Sequence, residues 1–336
     1  AKIDFVRMGK VVSKPELTIK NDGMEIGLNV TSLRDTWYKT SFLLDQRQTA
    51  ENLAKERFQN YKNQPLQYSF PKKFTGKLPS ITRSRPKAAI LREKGSNSER
   101  EMANAMYLAG FDVKDVHMTD LISGRETLED IQFIGAVGGF SNSDVLGSAK
   151  GWAGAFMYNE NANNALKNFF ARPDTLSVGI CNGCQLFLEL DLINPEHSKL
   201  AKMTFNDSRK HESSFTSVKI QKNKSVMLSS LEGCTLGVWI SHGEGKFSLP
   251  LSEDNYAIVA KYGYQDYPAN PNGSEYNTAM LCDKTGRHLV TMPHIERSTF
   301  PWNWAHYPKD REDQVSPWLE AFENARDWIN AQQINS

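Results

Sequence analysis

Two cysteines dominate the stretch Leu176-Ser177-Val178-Gly179-Ile180-Cys181-Asn182-Gly183-Cys184-Gln185-Leu186-Phe187-Leu188. A short apolar run leads into Cys181, glycines stand two positions before and two after it, and an apolar, helix-compatible segment follows. This is the layout of a strand–turn–helix elbow, with a nucleophile on a sharp turn and glycines where side chains would collide. A thiol at the start of a helix lies at the positive end of the helix dipole, which favours the thiolate. The N–H of Asn182 has no intrahelical partner there and is free to face an oxyanion. Cys181 is therefore a candidate nucleophile for acyl transfer. A Cys-x-x-Cys pair can also be half of a zinc site or a dithiol. Zinc needs about four ligands, and Cys234 and Cys282 have no Cys or His neighbours at ligand spacing, so no metal is expected.

A cysteine nucleophile needs a base, and the base needs a group to orient it. Among seven histidines, His294 stands out in Pro293-His294-Ile295-Glu296-Arg297, just after the strand-like Leu289-Val290-Thr291-Met292. If that segment is extended, residues two apart share a face, and Glu296 can hold the imidazole. Gly138-Gly139 follows another apolar run and is either a simple loop or a source of backbone N–H groups. Ser241-His242-Gly243-Glu244-Gly245 is similarly open, as a lining of the same site or as a turn. The aromatic run Phe300-Pro301-Trp302-Asn303-Trp304 reads as packing.

The elements that must position these residues begin near Arg85. Lys87–Leu91 reads as a buried strand. A helix follows with Asn97 and Ser98 as candidate caps and Gly110 as its stop. Strands at 111–116, 131–137 and 176–180 and a helix at 162–171 continue the alternation. That pattern predicts an α/β fold with a mostly parallel, doubly wound sheet, and ligands outside the carboxyl ends of its strands. Gly138-Gly139 and Cys181 both fall at such ends. From Ser213 onward strands dominate, adding antiparallel members, with Lys284-Thr285-Gly286 turning a hairpin. A closing helix from Pro317 carries the apolar stripe Trp318, Phe322, Ala325 and Ile329. Before Arg85 the chain reads differently: a hairpin turned at Asn21-Asp22-Gly23, one or two exposed helices between Ser32 and Tyr61, then a Pro- and Lys-rich linker with no buried core.

The 336 residues suffice for one large or two smaller cores. A formal net charge of +1 predicts no nucleic-acid or membrane affinity. No apolar run approaches the ~20 residues of a membrane span, and no signal peptide is visible. Four cysteines make no disulfide framework, which points to a reducing, cytoplasmic setting.

The elbow together with Pro293–Arg297 resembles the triad-type, class I glutamine amidotransferases. Leu91–Glu99, Gly138–Ser141, Asp144–Gly147, Ser241–Gly245 and Tyr267–Ser274 narrow the resemblance to the glutaminase portion of the large, single-chain phosphoribosylformylglycinamidine synthase family. The resemblance spans about Pro86 to Ala331. It implies a division into residues 1–70 as the tail of a preceding synthetase domain, 71–85 as a linker and 86–336 as the amidotransferase domain, within a longer polypeptide. It implies Cys181 as nucleophile, His294 as base and Glu296 as its orienting partner. The N–H groups of Gly139 and Asn182 would form the oxyanion hole, and Gln185 would help hold glutamine. Glutamine and the synthetase domain are the implied partners. No cofactor is expected in this chain, with ATP and Mg in the synthetase domain, where released ammonia would be consumed in purine biosynthesis. Three positions depart from the family pattern: Asn142-Ser143 for Tyr-Gly, Ile295 for Pro, and His211-Glu212-Ser213-Ser214 for Phe-Glu-x-Arg. Another Cys-His-Glu acyl-transfer enzyme on the same fold, or a non-catalytic docking subunit, are the alternatives.

Overall fold

The computed structural model describes residues 3–63, 67–80 and 85–335. The chain starts with a hairpin, β1 (Glu16–Asn21) and β2 (Met24–Asn29), turned by Asp22-Gly23 with positive φ at both, as a two-residue turn requires. Two helices follow, α1 (Val30–Gln48), capped by the Asn29 side chain, and α2 (Glu51–Asn60). They are not exposed throughout: Asp45, Thr49 and Ala54 are buried.

The alternating region holds β3 (Lys87–Arg92), β4 (Ser96–Asn97), α3 (Glu99–Ala109), β5 (Asp112–His117), α4 (Met118–Ile122), β6 (Phe133–Ala136) and β7 (Gly138–Gly139). It continues through α5 (Lys150–Met157), α6 (Glu160–Ala171), β8 (Leu176–Ile180) and α7 (Asn182–Glu189). The later part adds β9 (Lys202–Thr204), β10 (Glu212–Ile220), β11 (Thr235–His242), β12 (Lys246–Ser248), β13 (Ala257–Tyr262), β14 (Thr278–Cys282), β15 (His288–Thr291) and α8 (Trp318–Asn335). Sequence reasoning did not find α4 or α5.

One nine-stranded sheet organises the domain, in the order β11-β10-β13-β14-β15-β8-β6-β3-β5. The run β15-β8-β6-β3-β5 is parallel, and the other four strands extend it antiparallel. Every residue of β8 is buried, as a central parallel strand covered on both faces must be. The stripe Trp318, Phe322, Ala325 and Ile329 is buried, with Phe322 against Phe133 of β6. Ser316 Oγ accepts from Trp318 N–H at 3.2 Å and so caps the helix start.

Two local readings are corrected. Ser98 takes the N-cap position of α3 with φ 71° and makes no side-chain cap bond, because its Oγ instead accepts from Gly138 N–H at 3.3 Å. The segment read as a linker, 63–85, is docked over its described residues; 64–66 and 81–84 lie outside them. Gly76 O accepts from Gln314 N–H (2.7 Å), Ser69 bridges to Thr235, and Phe70 and Phe74 join a cluster with Trp304 and Tyr307. The reason is aromatic content: rings of this size gain more from burial than the Pro and Lys residues around them gain from hydration. Among the described residues, no helix is long and apolar enough to cross a membrane.

Candidate active site

Cys181 sits between β8 and α7 with φ 53° and ψ −105°, a backbone state that costs a non-glycine residue about 1–3 kcal/mol and persists only where its surroundings enforce it. The enforcement is visible in the flanking glycines. A Cβ on Gly179 would lie 2.5 Å from Gly183 O, and one on Gly183 would lie 2.1 Å from Ala136 O of β6. The elbow is thus wedged against the neighbouring strand at a distance only glycine permits. Cys181 N–H is fixed by Thr291 O at 2.8 Å.

His294 reaches the elbow from β15. Its N–H donates to Trp239 O at 2.8 Å, and its carbonyl accepts from Ser298 Oγ at 3.1 Å. His294 and Glu296 do not meet across an extended segment. Ile295–Arg297 form a 3-10 turn, and the turn brings His294 Nδ1 to 2.7 Å from Glu296 Oε1. Both are buried. Cys181 lies within hydrogen-bonding reach of the same imidazole, and a Cβ on Gly138 would touch both His294 Cε1 (2.9 Å) and Cys181 Cβ (3.4 Å). Burial alone would depress the His294 pKa. The Glu296 carboxylate and then Cys181 outweigh it and push the imidazole up to about 10. Cys181 Sγ also points at Ser241 O, 3.5 Å away, a partner the sequence did not suggest.

The neighbouring thiol differs in kind. Cys184 is fully buried inside the first turn of α7, and burial, reinforced by the charge of Cys181, pushes its pKa well up. All four cysteines are unpaired.

Two backbone N–H groups lie beside the elbow, those of Gly139 and Asn182. Phe140 N–H donates to Gly95 O at 2.9 Å, so the antiparallel alternation makes Gly139 and Ser96 a non-hydrogen-bonded pair, with the Gly139 N–H turned away from β4. Gly139 holds φ 108°. Asn182 is the first residue of α7, and its N–H has no intrahelical acceptor. The Asn182 side chain joins the loop after β7 to α7: its Oδ1 accepts from Ser141 N–H (3.1 Å), and its Nδ2 donates to Gln185 Oε1 (2.9 Å). Gln185 Nε2 in turn donates to Glu244 O at 2.7 Å. Asn142, Ser143 and Asp144 all have positive φ, so the loop keeps a left-handed path where serine gives no help.

Cys181, Gly139 and Gln185 line one cavity of about 270 Å³, together with Asp144, Arg209, Lys210, His211 and Ser241–Glu244. His294 and Glu296 line a second, of about 490 Å³, that shares Ser241 with the first. Sequence reasoning gave Asp144 only within the Asp144–Gly147 motif of the resemblance and missed Arg209 and Lys210 as lining residues, since isolated charges carry no spacing signal. Burial, with Glu244 adding to it, pushes the Asp144 pKa up. His242 is buried with its pKa pushed down to about 3 by burial and by His294 nearby. The motif Tyr267–Ser274 braces the cavity wall from behind. Asn272 Nδ2 approaches His242 Nε2 at 3.5 Å, and Ser274 Oγ accepts from Phe247 N–H at 3.0 Å. Among the described residues, no group of three or more His, Cys, Asp or Glu could hold a metal ion.

A strained cysteine elbow, an imidazole–carboxylate pair beside it and two free N–H groups on a doubly wound sheet define an amidotransferase-type site. The chain belongs to the family of CobB/CobQ-like glutamine amidotransferase domains, whose model matches residues 85–329. More particularly, it is similar to phosphoribosylformylglycinamidine synthases. It is 39% identical over 331 residues to that of Homo sapiens, covering 89% of this chain and 25% of the relative. It is 38% identical over 358 residues to a probable chloroplastic/mitochondrial one from Arabidopsis thaliana, covering 96% and 25%. The chain thus spans about a quarter of the length of these relatives. The solved structure of PurLQS from Thermotoga maritima shares the fold, with a TM-score of 0.57 and 21% identity over 73% of this chain and 99% of that one. These relatives do not favour the alternatives, another Cys-His-Glu acyl-transfer enzyme on the same fold or a non-catalytic docking subunit.

Proposed function

We propose that this chain is the glutaminase portion of a phosphoribosylformylglycinamidine synthase, and that it releases ammonia from glutamine through a thioester on Cys181. The observation that carries the reading is the junction of three features at one point: the enforced elbow, the 2.7 Å His294–Glu296 pair and the unpaired N–H groups of Gly139 and Asn182. His294, which Glu296 holds through Nδ1, takes the proton of Cys181 on its other nitrogen as the attack begins. The sulfur attacks the carboxamide carbon of glutamine, and the charge that develops on oxygen faces the two N–H groups. His294 gives its proton to the departing nitrogen, the C–N bond breaks, and ammonia leaves a glutamyl thioester. Water then attacks the thioester carbon, its proton passes to His294, and the C–S bond breaks. The products are the γ-carboxyl of glutamate, which ionises on release, and the sulfur of Cys181, which takes its proton back from His294.

Gln185 supports this chemistry from the cavity wall. Both ends of its amide are already engaged, yet each keeps one unused hydrogen-bond position for a substrate. The ammonia would be consumed in a synthetase portion carrying ATP and Mg, where formylglycinamide ribonucleotide becomes formylglycinamidine ribonucleotide in cytoplasmic purine biosynthesis.

Glutamate release from glutamine tests the assignment, by this chain alone and with the synthetase portion added. Cys181→Ala should lower the rate by about 10³-fold or more, whereas Cys184→Ser should stay largely active. Equal rates for the parent and Cys181→Ala would remove the nucleophile.

A further inference from the structure

The helices before the amidotransferase domain end against the wall of the Cys181 cavity, through a partly buried charge cluster that the glutaminase chemistry does not use. Arg57 of α2 lies at its centre. Its Nη1 donates to both carboxylate oxygens of Asp45 in α1, each at 3.2 Å, and its Nη2 donates to Glu212 Oε2 at 2.9 Å. Tyr267 completes Glu212 by donating its hydroxyl to Oε1 at 2.9 Å, and its ring lies under the Arg57 guanidinium at 4.6 Å. Lys210 closes the cluster by donating to Asp45 Oδ1 at 2.6 Å. Asp45 and Glu212 are both buried, so each carboxylate depends on these partners for its charge to be tolerated.

The cluster is joined to the reacting sulfur by a short path. Lys210 and His211 line the cavity with Cys181. Glu212 opens β10, where it pairs with His242 of β11, and the next pair is Ser213 with Ser241. Ser241 O is the group 3.5 Å from Cys181 Sγ, and Ser241 Oγ lies 3.0 Å from His211 Nε2. Moving Glu212 would therefore shift the strand pair that carries Ser241 and His242.

We infer that α1 and α2 clamp the wall of the glutaminase cavity, and that Arg57 is a positioning residue: it sets the place of Lys210–Glu212, and through them of Ser241, from a segment outside the matched domain. The inference rests on the glutaminase reading for its kinetic test and on geometry alone for a second one.

Three forms of the full chain test this: the parent, Arg57→Ala and Arg57→Lys. Lys20→Ala serves as a control, because its ion pair with Glu25 lies out on the hairpin. With glutamine as substrate, Arg57→Ala should raise KM by about tenfold with kcat changed less than about threefold, the pattern of lost ground-state positioning. Arg57→Lys keeps the charge but cannot span both carboxylates, so it should fall between. Arg57→Ala together with Glu212→Gln should cost less than the two separate effects multiplied, because the same link is broken in both. Independently of turnover, the rate of Cys181 alkylation by iodoacetamide, read by peptide mass spectrometry, should rise severalfold in Arg57→Ala and stay at the parent value in Lys20→Ala. A folded Arg57→Ala with parental KM and parental alkylation rate would overturn the clamp. Were the parent to release no glutamate, the glutaminase reading would fail, and the alkylation rates would still decide the clamp.

Discussion

Replacing Glu296 by Gln keeps the shape of the site and removes the charge that holds its base. In the parent, burial works against a protonated His294, and the carboxylate 2.7 Å from Nδ1 is the first of the interactions that reverse it. A hydrogen bond to a charged group contributes about 1.5–3 kcal/mol, against about 0.5–1.5 for a neutral one. The bond alone thus accounts for about 1–2 kcal/mol, or about 5- to 30-fold in rate. A second effect adds to it. With the charge gone, burial is opposed only by Cys181, the imidazole pKa falls from about 10, and at pH 8 the proton is held less well for the leaving ammonia. The expected loss in kcat/KM is about 100-fold at pH 8 and smaller at pH 6, where the imidazole regains its proton. Stability carries the same signature. Because the folded-state pKa lies above the unfolded one, the stabilisation of His294 is complete below about pH 6.5 and is lost as pH rises toward about 10. Thermal unfolding between pH 6 and 10 should show that decline in the parent and a flatter profile in Glu296→Gln. Glutamate release measured over pH 6–9 provides the kinetic half. Parallel pH–rate curves with equal kcat/KM would refute the assignment of Glu296 as the group that holds the base.

Gly183→Ala should be destabilising by about 3 kcal/mol in urea titrations, since its Cβ would fall 2.1 Å from Ala136 O, a backbone atom of the central sheet. The protein that does fold should have lost glutaminase rate, because the elbow must move for the methyl to fit. Ser143→Gly should act in the other direction. Ser143 holds φ 57°, and relief of about 1–2 kcal/mol of left-handed strain outweighs the extra entropy of glycine in the unfolded chain, about 0.5–1 kcal/mol. The net gain is about 0.5 kcal/mol, seen as a small rise in Tm; a fall would show that the loop is not strained by its serine.

The parallel core was legible because its signals are local. A strand buried on both faces is a continuous apolar run, and β8 is one; Gly179 and Gly183 mark the elbow because a backbone approach of 2–3 Å excludes every other residue. The His294–Glu296 pair was found by its spacing although the reasoning about its backbone was wrong. Two residues apart on a strand and two residues apart in a 3-10 turn are the same string of letters, and the bonds of the His294 backbone with Trp239, Arg297 and Ser298 go with the turn. What the sequence could not display was everything that depends on distant partners. Ser241 matters for a carbonyl, which every residue has. Ser98 resembled a helix cap and serves Gly138 instead. The aromatic residues of the supposed linker have partners more than two hundred positions away, at Trp304 and Tyr307.

The departures from the family pattern are the positions where that limit can be turned into an argument. Ile295 takes the place of a proline without undoing the turn, because the turn is held from outside by the hydrogen bonds on His294 and by the full burial of the isoleucine side chain. Asn142-Ser143 takes the left-handed path of a glycine-bearing loop, held by Asn142 N–H on Lys94 O and Ser143 N–H on Phe140 O, both at 2.9 Å. Ser214 stands where an arginine is usual, and the buried carboxylate beside it, Glu212, is met by Arg57 from the other side. Each of these segments is held by a contact from elsewhere in the chain, with Trp239, Lys94 and Arg57 respectively. The same reliance predicts where this site is vulnerable: its loops and walls depend on contacts with Lys94, Asn182, Trp239 and Arg57 more than on their own backbone preferences. Disturbing those contacts should alter the positioning of substrate before it alters the fold.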